Sequence, residues 1–281
     1  MVLEALNNRD DLQYTSLDLL DQKFSAKLVT LHLEKLTCLH LSWTDEPAEV
    51  WNQFFSEIRN NEKVQLKKLV INEKEPHPRR GIDMELIVAA LCQIEEVGLP
   101  GCFSIYNDLF TKLVETMAES PQGNMKLKRL YIFLVYWDGV KDSDWQEESN
   151  LAKALCKLEV LSTTKKRNLT PRQENAIYRR IIDSQESKLK TLDLRRTSTN
   201  IDDVEAELQA EAVVNLVEYR NTVNHEQART ILDKIFFSEN IKLKILLLVV
   251  RDNVRGTFTY CPKKMEKVKV KLQKLKVFNG V

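Results

Sequence analysis

Apolar positions along this chain fall into a short recurring frame, Leu-x-x-Leu-x-Leu, separated by longer stretches with helical spacing. The clearest copy is Leu189, Leu192 and Leu194 in LKTLDL. Others are Leu66, Leu69, Ile71 (LKKLVI), Leu127, Leu130, Ile132 (LKRLYI) and Leu243, Leu246, Leu248 (LKILLL). Less regular copies are LTCLHL, IEEVGL, LEVLST, LVEYRN and LQKLKV, beginning at Leu36, Ile94, Leu158, Leu216 and Leu272. The starts are thus 36, 66, 94, 127, 158, 189, 216, 243 and 272, with steps of 30, 28, 33, 31, 31, 27, 27 and 29 residues. A self-similar period of that length is the mark of a solenoid. Alternation inside each frame predicts a strand with its leucines on one face.

The stretches between frames predict helices. Trp51, Phe54, Phe55 and Ile58 form one apolar stripe, with Thr44 as a candidate cap and Pro47 in the first turn. Further helices are expected over 82–93, through Leu109, Phe110, Leu113, Val114 and Met117, and over 145–157. Thr170-Pro171-Arg172-Gln173 has the form of a capping box ahead of Ile177, Ile181 and Ile182. The last two helices are expected over 202–215 and 225–240, the latter burying Ala228, Ile231, Leu232 and Ile235. Pro- and Gly-containing segments at 73–81, 121–124 and 138–144 predict loops. Residues 1–35 are less regular. Leu17, Leu19 and Leu20 read as helical, so 1–35 is taken as an irregular first unit and 36–281 as one continuous solenoid of about nine repeats.

The repeats alternate in kind. One kind ends in Lys-Leu-Lys (LKLKRL, SKLKTL, IKLKIL), the other in an Ala-rich helix (AALCQIEEV, AKALCKLEVL). Cys92 and Cys156 each stand two residues before a frame, one position used twice, which suits a small buried side chain. The frames and helical returns resemble leucine-rich repeat proteins of the ribonuclease-inhibitor type, over about residues 36–277. The resemblance implies an α/β horseshoe with a parallel sheet on the concave side and helices on the convex side. It also implies a polar ladder at a ninth repeat position. Thr44, Cys102, Thr197 and Asn224 match that position, whereas Lys74, Val135, Lys166 and Arg251 depart from it.

Strands about 4.8 Å apart stacked against helices about 8–10 Å apart must bend with the strands inside. Side chains between the leucines then face the concave side. One row is Cys38, Lys68, Glu96, Arg129, Val160, Thr191, Glu218, Ile245 and Lys274. The next is His40, Val70, Gly98, Tyr131, Ser162, Asp193, Arg220, Leu247 and Lys276, with Trp43, Phe133, Arg195, Arg196 and Phe278 beyond. Aromatics and arginines are common anchors of protein interfaces. The expected partner-binding residues are therefore Lys68, Glu96, Arg129, Tyr131, Phe133, Asp193, Arg195, Glu218 and Arg220. The competing expectation is that Lys68, Glu96 and Arg129 pair with one another across adjacent strands.

Composition narrows the choices. A net charge of +1 gives no global reason to expect nucleic acid or an anionic membrane. Five widely spaced cysteines, an odd number, argue against a disulfide framework and for a cytoplasmic or nuclear setting. The first residues do not read as a signal peptide, and the longest apolar run, 245–250, is far short of the roughly 20 residues a spanning helix needs. Asn168-Leu169-Thr170 reads as a chance sequon. Neither end shows a polar cap, so the expectation is a piece of a longer repeat protein or self-association through the ends.

Candidate chemistry is sparse. His32, Cys38 and His40 lie close together but supply too few ligands for zinc. No phosphate-binding glycine loop, G-x-S-x-G or H-E-x-x-H occurs, so no catalytic residue, metal or cofactor is expected. The basic stretch 263–276 offers a second function, binding an acidic partner or nucleic acid, although its apolar spacing also fits a last repeat. A third expectation is a purely structural array binding copies of itself. The leading one is a non-enzymatic scaffold that binds a partner protein on its concave face.

Overall fold

Strands form where the leucine frames fall, and helices fill the intervals. The structure is a computed structural model that describes residues 15–19, 29–30, 32–43, 46–72, 81–99, 105–121, 124–132, 148–163, 171–183, 187–194, 205–250 and 276–277. The chain divides into two compact units, Met1–Phe133 and Leu134–Val281.

The first unit contains β1 (Ser16–Leu19), β2 (Cys38–Ser42), α1 (Ala48–Asn60), β3 (Lys68–Asn72), α2 (Met84–Leu91), β4 (Glu96–Leu99), α3 (Ile105–Glu119) and β5 (Arg129–Ile132). Its strands lie parallel in chain order, β1 to β5. Register matches frame to frame: Leu39 faces Leu69, Leu69 faces Val97, and Val97 faces Leu130. All four are buried. Helices α1, α2 and α3 pack in succession. Trp51, Phe54, Phe55 and Ile58 form the buried face of α1, as their spacing predicts.

The second unit contains α4 (Glu148–Leu155), β6 (Val160–Thr163), α5 (Pro171–Asp183), β7 (Thr191–Leu194), α6 (Ala206–Asn215), β8 (Glu218–Val223), α7 (His225–Phe237), β9 (Ile245–Val250) and β10 (Lys276–Val277). These strands too are parallel in chain order, with Leu161, Leu192, Tyr219 and Leu246 in one line. Each unit is therefore an α/β stack of parallel strands alternating with helices, consistent with a repeat solenoid. Among the described residues no helix is long and apolar enough to cross a membrane.

One backbone device recurs at the strand starts. Two consecutive N–H groups bond the carbonyl just before the preceding strand: Thr37 and Cys38 on Thr15, Lys67 and Lys68 on Thr37, Lys128 and Arg129 on Glu95, Lys190 and Thr191 on Glu159. The same shared acceptor holds Val217 and Glu218 on Lys190, and Lys244 and Ile245 on Val217. The Cys92 and Cys156 carbonyls also serve one purpose twice, accepting from the Lys126 and Lys188 N–H groups at 2.9 and 2.8 Å. Both thiols are buried, and burial pushes each up to about 11.

Four details depart from expectation. Leu17 and Leu19 lie in a strand, not a helix, and stand opposite Leu39 and Leu41. Both alternations fit so short an apolar run, and pairing with β2 decides between them. Pro47 precedes α1 as its N-cap instead of entering the first turn. Trp43 is core, not surface: it is buried and stacks on Trp51 with ring centroids 4.2 Å apart. At the last strand Lys276 faces Ile245 and Val277 faces Leu246, so the register is two residues later than the LQKLKV frame implies.

Candidate functional site

In the first unit the predicted rows exist in register. Ser16, Cys38, Lys68, Glu96 and Arg129 succeed one another across five strands, beside Asp18, His40, Val70, Gly98 and Tyr131. Neighbours in a row come from positions about thirty residues apart in sequence, except for the shorter first step. The row of charges is paired. Lys68 Nζ lies 2.8 Å from Glu96 Oε1, and an Arg129 Nη lies 3.2 Å from Glu96 Oε2. Thus the competing expectation, mutual pairing across strands, describes these three residues.

The electrostatics follow from that geometry. Partial burial pushes the Glu96 carboxyl up, but hydrogen bonds and charge from Lys68 and Arg129 outweigh it and hold Glu96 below the usual carboxylate range. Lys68 is held above its ordinary value, first by the Glu96 hydrogen bond and, after the opposing effect of burial, by the charge of Glu96. Glu96 is enclosed, its side chain 16% exposed, whereas Arg129 is 53% exposed. Two cations share one carboxylate, so the cluster carries a residual positive charge. Tyr131 stands partly exposed at its edge. Gly98 is buried between Val70 and Tyr131, under the Val70 side chain; a Cβ there would come within 3.1 Å of Val70 Cγ2.

In the second unit the rows are Val160, Thr191, Glu218, Ile245, Lys276 and Ser162, Asp193, Arg220, Leu247. Glu218 and Arg220 form an ion pair along β8. Asp193 falls in the expected row but is only 5% exposed, which leaves little of it for a partner. Phe133 and Arg195 lie outside the described residues, as do 263–275 of the basic stretch and every ninth position except Asn224. Asn224 caps α7 in a reciprocal box with Gln227, so its side chain serves its own helix.

The residues considered for zinc take a different form. His40 shares a face with Cys38, and His40 Nε2 lies 3.6 Å from Cys38 Sγ. The other ring nitrogen, Nδ1, lies 3.2 Å from Asp18 Oδ2. No group of three such side chains converges to hold a metal among the described residues. Asp18 escapes a sequence reading that treats 1–35 as irregular. The frame-like alternation Leu17-Asp18-Leu19 is the signal that could have placed it. Comparison with known proteins gives no match, either to a family model or to a curated protein.

Proposed function

We propose that the chain is a non-enzymatic interaction scaffold of the leucine-rich repeat type, binding a partner protein on the strand face of its units. The observation that carries this reading is the in-register line of Lys68, Glu96 and Arg129 with Tyr131 beside it. Glu96 fixes both cations, so little side-chain freedom remains to be lost on binding at Lys68. Arg129 and Tyr131 supply the residue types that dominate interface energetics. The residual positive charge favours a partner surface with carboxylates at its centre.

The test is capture of partners from a cell extract by immobilised full-length chain. Arg129→Ala with Tyr131→Ala should lower recovery of a specific partner at least tenfold. Glu85→Ala with Lys112→Ala, which breaks an exposed ion pair between α2 and α3, should leave it unchanged. Equal recovery by all three proteins contradicts the proposal. Loss of nearly all bound material on raising salt, with nucleic acid in the eluate, favours the basic stretch instead.

A further inference from the structure

The three side chains Asp18, His40 and Cys38 form a line, not a cage. His40 uses its two ring nitrogens on opposite partners, Nδ1 toward Asp18 Oδ2 at 3.2 Å and Nε2 toward Cys38 Sγ at 3.6 Å. A single metal ion cannot take both ends of one imidazole. A proton relay can. With Nδ1–H donating to the Asp18 carboxylate, the Nε2 lone pair faces the sulfur and can accept its proton. Three strand positions brought into one patch by the β1–β2 register create this arrangement. Cys38 is partly exposed and His40 is 25% exposed, so a small reagent can reach the sulfur.

Lys68 stands directly across from Cys38 in register. Among the described residues, the titratable groups near the pair include Asp18 on β1 and, on the other side, Lys68 with its partner Glu96. Cys92 and Cys156 provide the contrast, since both are buried and held protonated.

We propose that Cys38 is a reactive-thiol site, with His40 as its base and Asp18 as the residue that positions His40, and that it is modified by soft carbon electrophiles of the α,β-unsaturated carbonyl class. The Cys38 S–H proton passes to His40 Nε2 as the sulfur forms a bond to the β-carbon. The alkene π pair moves to the α-carbon, which then takes the proton back from His40. Nothing is oxidised or reduced, and no group leaves. This site is independent of the partner-binding reading.

N-ethylmaleimide at pH 7 on the full-length chain, with modification quantified peptide by peptide, tests it. Cys38 in the native chain should react at least tenfold faster than in the urea-unfolded chain. His40→Gln should remove that advantage, Asp18→Asn should reduce it severalfold, and Asp18→Glu should restore part of it. None of the three should alter the unfolded-chain rate. Resistance of Cys92 and Cys156 in the same digest reports that each variant is folded. If His40→Gln fails that check, the isosteric Asp18→Asn decides. A native rate no higher than the unfolded rate, or an unchanged rate in a folded His40→Gln or Asp18→Asn chain, overturns the proposal.

Discussion

The phenol oxygens of Tyr178 and Tyr219 lie 3.0 Å apart in the core of the second unit, with both side chains fully buried. Tyr219 occupies a frame position where the strands on either side carry Leu192 and Leu246. Its oxygen accepts from Gln209 Nε2 at 2.7 Å and from Asn221 Nδ2 at 2.8 Å. With both lone pairs taken, its own proton goes to Tyr178, whose hydroxyl donates to Glu174 Oε2 at 3.5 Å. A polar network thus replaces leucine at two frame positions, Tyr219 and Asn221.

Tyr219→Phe removes the acceptor that Gln209 and Asn221 share. The expected cost is about 1–3 kcal/mol in the free energy of urea unfolding, because buried donors lose their partner. Adding Gln209→Leu should recover part of that loss, since the pair of changes removes a donor together with its acceptor. A greater loss in the double variant contradicts the assignment.

Leu192 is fully buried between Leu161 and Tyr219 in register. Leu192→Ala should cost about 2–5 kcal/mol. Amide exchange should accelerate first in β6, β7 and β8, because contacts in stacked repeats are local. Uniform acceleration across the second unit would contradict local stacking.

The Lys68–Glu96–Arg129 cluster gives stability a defined pH window. Glu96 is held below its unfolded value, so its contribution is present above about pH 4–5 and fades as pH falls through the folded value. Lys68 is held above its unfolded value, so its contribution is present below about pH 10 and fades as pH rises further. The stability difference between wild type and Glu96→Gln should therefore be flat from about pH 6 to 9 and should narrow at both extremes. Unfolding curves across that range measure it; a difference that grows on acidification contradicts the pairing.

Burial that pushes Cys92 and Cys156 up to about 11 leaves almost no thiolate at pH 8. Iodoacetamide at that pH should leave both unmodified in the native chain and label both in urea. Native labelling of either would show that the thiol is not enclosed.

Much of this architecture was legible because a leucine frame fixes both the strand and its register. Leu39, Leu69, Val97 and Leu130 stand where their frames place them. Legibility ended where period two and helical spacing compete, as at Leu17 and Leu19. It ended again at Val277, where the LQKLKV frame and the observed pairing differ by two residues. Trp43 misled because an aromatic after a strand fits both an exposed anchor and a core ring; only its stacking on Trp51 decides. The Lys68–Glu96–Arg129 line followed from the frames. The Asp18–His40–Cys38 line did not, because it needs β1 beside β2.

The claim beneath all of this is that residues about thirty apart in sequence stand side by side on one strand face, and a disulfide test addresses it most directly. Thr191 and Glu218 are register partners on β7 and β8, whereas Arg220 lies two residues further along. Neighbouring parallel strands about 4.8 Å apart suit a disulfide, while the offset pair is separated by about 8 Å, beyond its reach. In a chain with Cys38, Cys102 and Cys261 changed to serine, Thr191→Cys with Glu218→Cys should oxidise to a single linked peptide, and Thr191→Cys with Arg220→Cys should not. Linkage of the offset pair in preference to the register pair would contradict the stacking on which the proposed binding face depends.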